Sequence, residues 1–322
     1  MHTVTYLQAI NEALREEMDR DERVFIMGED VGWNLLGATG GLKDRFGTER
    51  VRNTPIAEAG FVGAGAGAAM VGMRPVVDML IAPFVYPAFD QIVSIIAKST
   101  YLYGGQAKMP IVLRAPMLYG AGNAAQHSDR PYPTFMTIPG LKLIAPASPY
   151  DAKGMLKAAI RDDDPVICFE DWTLTGLRNE IPDEDYVIEL GKAAVKREGS
   201  DVTIVALAGA VPHALAAGEQ LAGEGISAEV IDLRSIVPLD RDTILASVEK
   251  TGRLVVADPA HIMGSVASEI SAIVAQEGFW SLRAPIIRVA TPHTHIPFSA
   301  TLERPLYPTT EKIVNAAKRA MA

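Results

Sequence analysis

The 322-residue chain has a single cysteine, no run of basic residues and no apolar run as long as the roughly 20 residues that a membrane span needs. Cys168 alone allows neither a disulfide framework nor a thiolate metal site, and it lies in an apolar run typical of a buried strand. The net charge of -9, without a basic cluster, argues against nucleic acid as a partner. No Walker loop, nucleophile elbow, tandem repeat or low-complexity tract occurs.

What is present indicates a globular chain of about two domains. Hydrophobic residues make up 48% and charged residues 21% of the sequence, which allows large cores. The amino terminus carries neither a basic region followed by an apolar core nor an arginine-rich presequence, so cytoplasmic residence is expected.

Apolar strands alternate with helices, which predicts an α/β fold with two mostly parallel sheets. We predict a first domain at residues 1–185, a linker at 186–200 and a second, smaller domain at 201–322 with four strands and four helices. The polar segment 173–201 is expected to contain an edge hairpin. Residues 84–103 are expected to form a helix with Ile92, Ile95, Ile96 and Ser99 on one side.

The stretch from Thr54 to Gly72 contains one isolated carboxylate, Glu58, among alanines, glycines and valines. An acid in apolar surroundings turns to solvent, gains a partner, or has its pKa raised until it holds a proton near neutrality. The last outcome suits a proton-transfer site. The small residues that follow predict a buried helix at a subunit or domain junction, which another backbone or a flat ligand approaches closely. The alternative is a solvated loop acid before an ordinary core helix.

Two further residues are candidates for a site. Glu29 follows an apolar strand, and the carboxyl ends of strands are where α/β folds bind ligands, although a turn acid is the alternative. His127 lies in the long loop from Gly120 to Pro133, and histidine transfers protons readily near neutral pH, although a lone loop histidine is commonly just exposed.

Two other patterns carry less weight. Gly63, Gly65 and Ala68 match the G-x-G-x-x-G/A dinucleotide pattern, but no apolar strand runs directly into the first glycine. His293 and His295 lie two residues apart without a third ligand at a recognisable spacing, which favours a loop surface over a metal site.

Across nearly its whole length the sequence resembles the beta subunit of the thiamine-diphosphate-dependent 2-oxo acid dehydrogenases, a transketolase-like family. Together the matching segments are highly specific, whereas any one of them alone would not be. They are GEDVG at 28–32, FGTERVRNTPIAEAGFVGAGAGAA at 46–69, GMRPV at 72–76, PAFDQI at 87–92, QHS at 126–128, PGLKLIAPASPYDAKGML at 139–156, DPVICFE at 164–170 and EVIDLRSIVPLD at 229–240.

The resemblance implies a pyrimidine-binding domain followed by a transketolase C-terminal-type domain. It gives Glu58 a hydrogen bond to a ring nitrogen of the cofactor's aminopyrimidine, which favours the imino form that removes the thiazolium proton. By the same match Ile56 and Phe84 line the aminopyrimidine pocket, and Glu29 lies in an acidic, water-linked path between active sites. His127 would face the substrate and help acyl transfer to a lipoyl carrier.

The resemblance also implies metals and partners. A turn at Asp162 to Asp164, with carbonyls of Ile111 and Ala159, matches a loop that holds potassium in several relatives, and a solvated turn is the alternative. No GDG sequence, which begins the magnesium and diphosphate site of self-sufficient thiamine enzymes, occurs in the chain. The resemblance therefore implies half an active site, an alpha subunit that holds most of the magnesium site, a heterotetramer of two alpha and two beta subunits, and a lipoyl acyltransferase core.

The sequence leaves the substrate open among pyruvate, branched-chain 2-oxo acids and acetoin. Thr134 and Thr137 stand where the family commonly has an aromatic residue and a second histidine, and Pro87 stands where several relatives have an acid or glutamine. The rival functions are a split transketolase, an NAD-dependent dehydrogenase and a noncatalytic scaffold.

Overall fold

The structure is a computed structural model that describes all 322 residues, and these divide into two compact units. The first unit contains residues 1–118 and 134–190, and the second contains 119–133 and 191–322. The predicted boundaries assign segment 119–133 to the first domain, whereas the structure places it in the second unit, where Glu303 accepts hydrogen bonds from two of its backbone N–H groups. No helix has both the length and the apolar character that crossing a membrane requires. The cytoplasmic location stays a prediction.

The first unit contains a parallel sheet of six strands in the order β6-β7-β5-β4-β2-β3. Its central strands are buried along their whole length, as expected for a parallel sheet covered on both faces. A separate antiparallel pair joins β1 and β8. The strands are β1 (His2–Thr5), β2 (Val24–Gly28), β3 (Val51–Asn53), β4 (Arg74–Asp78), β5 (Val112–Met117), β6 (Lys142–Ile144), β7 (Val166–Asp171) and β8 (Arg178–Ile181).

The beginning of the first helix is set by a capping box. The Thr5 hydroxyl accepts the Gln8 N–H, and the Gln8 side chain accepts the Thr5 N–H, so two helix-end donors are satisfied. The helices are α1 (Tyr6–Arg20), α2 (Leu42–Phe46), α3 (Glu58–Met70), α4 (Ser99–Leu102), α5 (Ala124–His127), α6 (Tyr132–Phe135) and α7 (Pro149–Arg161), with 3-10 turns at Val31–Trp33, Ala82–Val85 and Trp172–Leu174.

The single regular helix expected at 84–103 is wrong. The segment forms a 3-10 turn, a π-helix at Gln91–Ile96 and the short α4. Pro87 lies inside the segment, and proline lacks the N–H that a regular helix requires. In the π-helix the α-helical spacing no longer predicts which side chains share a face, so Ile96 is buried while Ile95 is 40% exposed.

The second unit contains a five-stranded sheet in the order β14-β13-β10-β11-β9, in which only the edge strand β9 is antiparallel. Strand β9 lies within the predicted linker and pairs with β11, while β8 pairs with β1, so the expected edge hairpin does not form. The strands are β9 (Ala194–Arg197), β10 (Val202–Ala206), β11 (Ala228–Asp232), β12 (Ser235–Val237), β13 (Leu254–His261) and β14 (Ile287–Thr291). The helices are α8 (Ala210–Gly223), α9 (Arg241–Thr251), α10 (Val266–Glu277), α11 (Ala300–Glu303) and α12 (Thr310–Met321), with 3-10 turns at Phe279–Ser281 and Arg304–Leu306.

Candidate active site

The first unit's sheet has its switch point at β2. Strand β2 pairs with β3 on one side and with β4 on the other. The next strand in the chain, β3, is therefore added on one side of β2, and the strand after it, β4, is added on the opposite side. In open α/β sheets the crevice at the carboxyl ends of such strands is where ligands bind. Glu29 directly follows β2, and Glu58 lies five residues after the end of β3. The fold therefore brings these two predicted residues to the same edge of the sheet.

Glu29 is held in place by a close approach of two backbones. The preceding residue, Gly28, has φ +153°, and a Cβ there would lie 2.3 Å from the carbonyl oxygen of Asp78. Only glycine fits this position, and it allows the chain to turn at the end of β2, immediately before Glu29. The Glu29 side chain is 6% exposed, and its Oε1 has no hydrogen-bond partner. A buried carboxylate oxygen without a partner indicates a place for water or for a polar group of a ligand.

Burial raises the pKa of Glu29, and the charges of Glu58 and Asp30 raise it further. Because the charge of Glu58 contributes to the raised pKa of Glu29, the two carboxylates interact electrostatically in the fold. The sequence alone does not establish this interaction. A small cavity beside Glu29 is also lined by Asp30, Thr39 and Asp78, so it offers several polar partners. This edge of the sheet is thus acidic, as expected of a site that moves protons.

Glu58 is the first residue of α3, where an acidic side chain is favourable because the helix end carries unpaired N–H groups. The residue before it, Ala57, provides no side-chain cap. Glu58 itself is partly exposed, and Ile56 is 83% exposed. This chain alone therefore does not enclose the carboxyl group, and the dry surroundings expected for Glu58 stay a prediction about the assembled protein.

Helix α3 has one packed face and one open face within this chain, so its predicted burial at a subunit or domain junction stays a prediction. A Cβ on Gly65 would lie 2.9 Å from Val77 and 3.3 Å from Ile111, so this glycine lets the helix pack closely on the sheet. Nothing lies within 4 Å of the position that a Cβ on Gly67 would take, and Val71 is 81% exposed. The open face is small and apolar, as expected of a surface that a second chain covers.

The dinucleotide pattern lies wholly inside α3. Its residues Gly63, Gly65 and Ala68 are all in the helix that spans Glu58–Met70. The fingerprint instead places its first glycine in the turn between a strand and a helix, where backbone N–H groups meet the pyrophosphate. The geometry therefore does not support dinucleotide binding at this pattern.

A buried ionic cluster next to the site was missed by the sequence analysis. Arg114, 1% exposed on β5, donates two hydrogen bonds to Glu170, with Nε–Oε1 of 2.6 Å and Nη2–Oε2 of 2.7 Å, and a third to Asp78 with Nη1–Oδ2 of 2.6 Å. The other oxygen of Asp78 accepts the N–H of Leu80, which has φ +60°. The cluster thereby fixes the turn that leads to the partly buried Phe84. The signal in the sequence is an arginine inside the apolar run MPIVLRAP.

The acidic turn predicted to hold potassium is neutralised by basic side chains. Lys142 Nζ lies 2.7 Å from a carboxylate oxygen of Asp162 and 3.0 Å from one of Asp164. Burial works against the charge of Lys142, but these hydrogen bonds outweigh it, and the pKa of Lys142 is raised. Arg74 donates to the carbonyl of Asp162 and to the carboxylate of Asp163. The carboxylates are therefore engaged, which leaves carbonyl oxygens as the donors for a cation.

The second unit carries His127, which is exposed and ends the short helix α5. His293 is the neighbour of His261, with ring centroids 6.3 Å apart. No group of three or more histidine, cysteine or carboxylate side chains in the chain could hold a metal ion.

Sequence comparisons match both units to one superfamily. The transketolase pyrimidine binding domain matches residues 2–175, and the transketolase C-terminal domain matches residues 191–313. Among solved structures the chain is similar to one described as "Split gene transketolase, inactive beta4 tetramer", with a TM-score of 0.81, 25% identity, and coverage of 99% of this chain and 98% of the other.

Curated relatives are more similar in sequence and match over nearly full length. The chain is 47% identical to the acetoin:2,6-dichlorophenolindophenol oxidoreductase subunit beta of Bacillus subtilis, covering 97% of this chain and 95% of the relative. It is 44% identical to the 2-oxoisovalerate dehydrogenase subunit beta of the same organism, covering 100% and 99%. It is 48% identical to the mitochondrial pyruvate dehydrogenase E1 component subunit beta-1 of Arabidopsis thaliana, covering 98% and 89%.

Proposed function

From the premise that this chain belongs to the transketolase-like family of thiamine-diphosphate-dependent 2-oxo acid dehydrogenase beta subunits, we propose that it forms an active site with an alpha subunit. That site decarboxylates a 2-oxo acid, pyruvate or a branched-chain one, and passes the acyl group to a lipoyl carrier. The observation that carries the proposal is the placing of Glu29 and Glu58 together at the switch-point edge of the first sheet.

The residues at this edge fit the aminopyrimidine half of thiamine diphosphate. Ile56 and Phe84 would contact the flat ring, and the exposed Ile56 supplies apolar surface for it. The Glu58 carboxyl group would keep its proton and share it with a ring nitrogen, which requires that the assembled site exclude water. The bound cofactor supplies the nucleophilic carbon and accepts the electron pair released when carbon dioxide leaves.

Glu29 would continue this acidic edge into a water-linked path. Its orphaned Oε1 faces no protein donor, and burial raises the pKa of Glu29, which favours the protonated form of this carboxyl group. Together with the polar cavity beside it, Glu29 would relay protons toward a second active site of the assembly.

His127 would act in the transfer to the lipoyl carrier. In that step the acyl fragment, which would carry the electron pair left by decarboxylation, would form a bond to one lipoyl sulfur as the disulfide bond breaks. It would lose its hydroxyl proton as the thioester carbonyl forms. The other sulfur leaves as a thiolate and needs a proton. His127 would donate it, because histidine is a common general acid and this side chain is accessible.

The remaining half of the site is proposed to come from the alpha subunit. It would hold magnesium and the diphosphate, for which this chain offers no metal-binding cluster. The open face of α3, with Gly67 and Val71, would pack against that subunit, since small apolar surfaces allow two backbones to approach closely. We propose an assembly of two alpha and two beta subunits that docks on a lipoyl acyltransferase core.

Potassium is proposed to bind the turn through carbonyl oxygens of Ile111, Ala159, Asp162 and Asp164, since Lys142 engages the carboxylates. The Asp162 carbonyl accepts a hydrogen bond from Arg74 and would use its second lone pair. We expect the melting temperature of the assembled enzyme to be higher in potassium chloride than in sodium chloride at equal concentration. Equal melting temperatures would assign the turn a purely structural role.

Titration calorimetry with thiamine diphosphate and magnesium tests the proposed shared site. We expect negligible binding by this chain alone and tight, magnesium-dependent binding once the alpha subunit is added. The physical reason is that each chain would supply only part of the contacts to the cofactor, so the complete binding pocket forms only when the two chains associate. Tight binding by the isolated chain, or none by the assembled pair, would contradict the proposal.

Acetoin cleavage is the second candidate, because two of the curated relatives are acetoin oxidoreductase beta subunits at 47% and 46% identity. Reduction of 2,6-dichlorophenolindophenol by the assembled enzyme, with pyruvate, branched-chain 2-oxo acids or acetoin supplied in turn, distinguishes the candidates by kcat/KM. A split transketolase has less support, since the transketolase-like structure is 25% identical.

A further inference from the structure

The segment that carries His127, residues 119–130, is anchored at its start by a buried carboxylate. We call this segment the His127 loop. Glu303, at the end of α11, is fully buried. Its Oε1 accepts the N–H of Gly120 at 2.7 Å, and its Oε2 accepts the N–H of Gly122 at 2.9 Å. Both oxygens of one side chain therefore bind the backbone of one loop, five to seven residues before the histidine.

The anchor depends on two glycines and a phenol. Gly120 has φ +78° and Gly122 has φ +73°, a left-handed conformation that turns both N–H groups toward the same side chain and that glycine tolerates best. The Tyr307 hydroxyl donates a third hydrogen bond to Glu303, at 2.7 Å. Burying a carboxylate is costly without such donors, and three of them make this arrangement stable.

The other end of the His127 loop is anchored by Arg130, which is 3% exposed. Its guanidinium carbon lies 5.2 Å from the ring centroids of both Tyr119 and Tyr307, whose own centroids are 4.8 Å apart, so the cation packs against one side of an edge-to-face aromatic pair. Its Nε donates to the carbonyl of Pro259 at 3.1 Å, and its Nη1 donates to the carbonyl of Ser128. Tyr307 thus contacts both anchors, since its hydroxyl donates to Glu303 and its ring contacts Arg130.

We propose that Glu303 is a positioning residue for acyl transfer: by holding Gly120 and Gly122 it sets where His127 presents its proton to the lipoyl sulfur. This inference rests on the proposed function of His127. Glu303 is buried and touches no reacting atom, so its effect passes through the loop. Decarboxylation, which is proposed to depend on Glu58, does not require this anchor.

The test is Glu303→Gln in the assembled enzyme. Glutamine keeps the shape, but its NH2 group cannot accept a hydrogen bond, so one loop N–H loses its partner. We expect acylation of free lipoamide to fall about 10- to 100-fold, the range for a misplaced reacting group. Reduction of 2,6-dichlorophenolindophenol, which bypasses lipoamide, should stay close to that of the unaltered enzyme. Glu311→Gln, at an exposed position in the same unit, is the matched control and should change neither rate.

Two further measurements separate positioning from general stability. In a His127→Ala background, Glu303→Gln should cause no further loss of lipoamide acylation, because its effect acts through the histidine. Backbone hydrogen exchange across residues 119–127 should be faster in Glu303→Gln, and to a smaller extent in Tyr307→Phe, which keeps the aromatic ring. The inference would be overturned if Glu303→Gln lowered lipoamide acylation and dye reduction equally, or if it left the hydrogen exchange of residues 119–127 unchanged. It would also be overturned if the losses from His127→Ala and Glu303→Gln multiplied in the double variant. Absence of decarboxylation in the unaltered enzyme would instead refute the proposed function.

Discussion

Replacing Glu58 by glutamine is expected to lower turnover of the assembled enzyme by about two to four powers of ten, the range for a lost proton-transfer group. Glutamine has nearly the same size and can still form a hydrogen bond, but it cannot release and recover a carboxyl proton. The residue begins α3 and is partly exposed, so the change leaves no cavity and should not disturb folding. Steady-state kinetics with 2,6-dichlorophenolindophenol as acceptor measures the loss.

The control for this prediction is Glu49→Gln, which makes the same carboxyl-to-amide change on a side chain that is 91% exposed in the same unit. It should leave turnover unchanged. Sedimentation analysis should show that both variants assemble with the alpha subunit to the same extent. Near-normal turnover of the Glu58 variant would reject its assigned role, and a loss of assembly would assign it to the subunit contact instead.

The second large effect concerns stability. Arg114→Met is expected to lower the free energy of unfolding by about 3–5 kcal/mol, because it leaves the buried carboxylates of Asp78 and Glu170 without their cation. Burial already raises the pKa of Glu170, which reflects how costly its charge is at this position even beside Arg114. Urea denaturation of the chain measures the change.

Two variants serve as controls for the cluster. Arg45→Met breaks an exposed pair with Asp19 and should lower the free energy of unfolding by only about 0.2–1 kcal/mol. Adding Glu170→Gln to Arg114→Met should recover part of the lost stability, because one of the two unpaired charges is then gone. If Arg114→Met alone had the same free energy of unfolding as Arg45→Met, the cluster would not stabilise the fold.

The arrangement of strands and helices could be predicted because each element carries its own pattern. Buried parallel strands are continuous apolar runs, and Thr5 with Gln8 marks the start of α1 within four residues of sequence. The segment 84–103 could not be predicted, since the widened π-turn at Gln91–Ile96 depends on packing and not on spacing. The same holds for the position of segment 119–133, which follows from hydrogen bonds to Glu303, distant in the sequence.

The candidate site was predictable only in part. Glu58 stands out as an isolated acid and Glu29 as an acid that directly follows an apolar strand, and the parallel order of β2 and β3 brings them to one edge. The anchors Glu303 and Arg130 could not be recognised, because their partners are backbone groups and aromatic rings that only the folded chain brings together. The surroundings of Glu58 in the assembled protein could not be predicted either, since this residue is partly exposed and α3 leaves one face open in this chain.

The most direct test of the account is the rate at which the thiazolium C2 proton of bound thiamine diphosphate exchanges with deuterium, measured by quenched-flow NMR in the assembled enzyme. We expect rapid exchange in the unaltered enzyme and a rate lower by about two to four powers of ten in Glu58→Gln. Equal rates in the two proteins would contradict the claim that Glu58 controls proton removal from the cofactor.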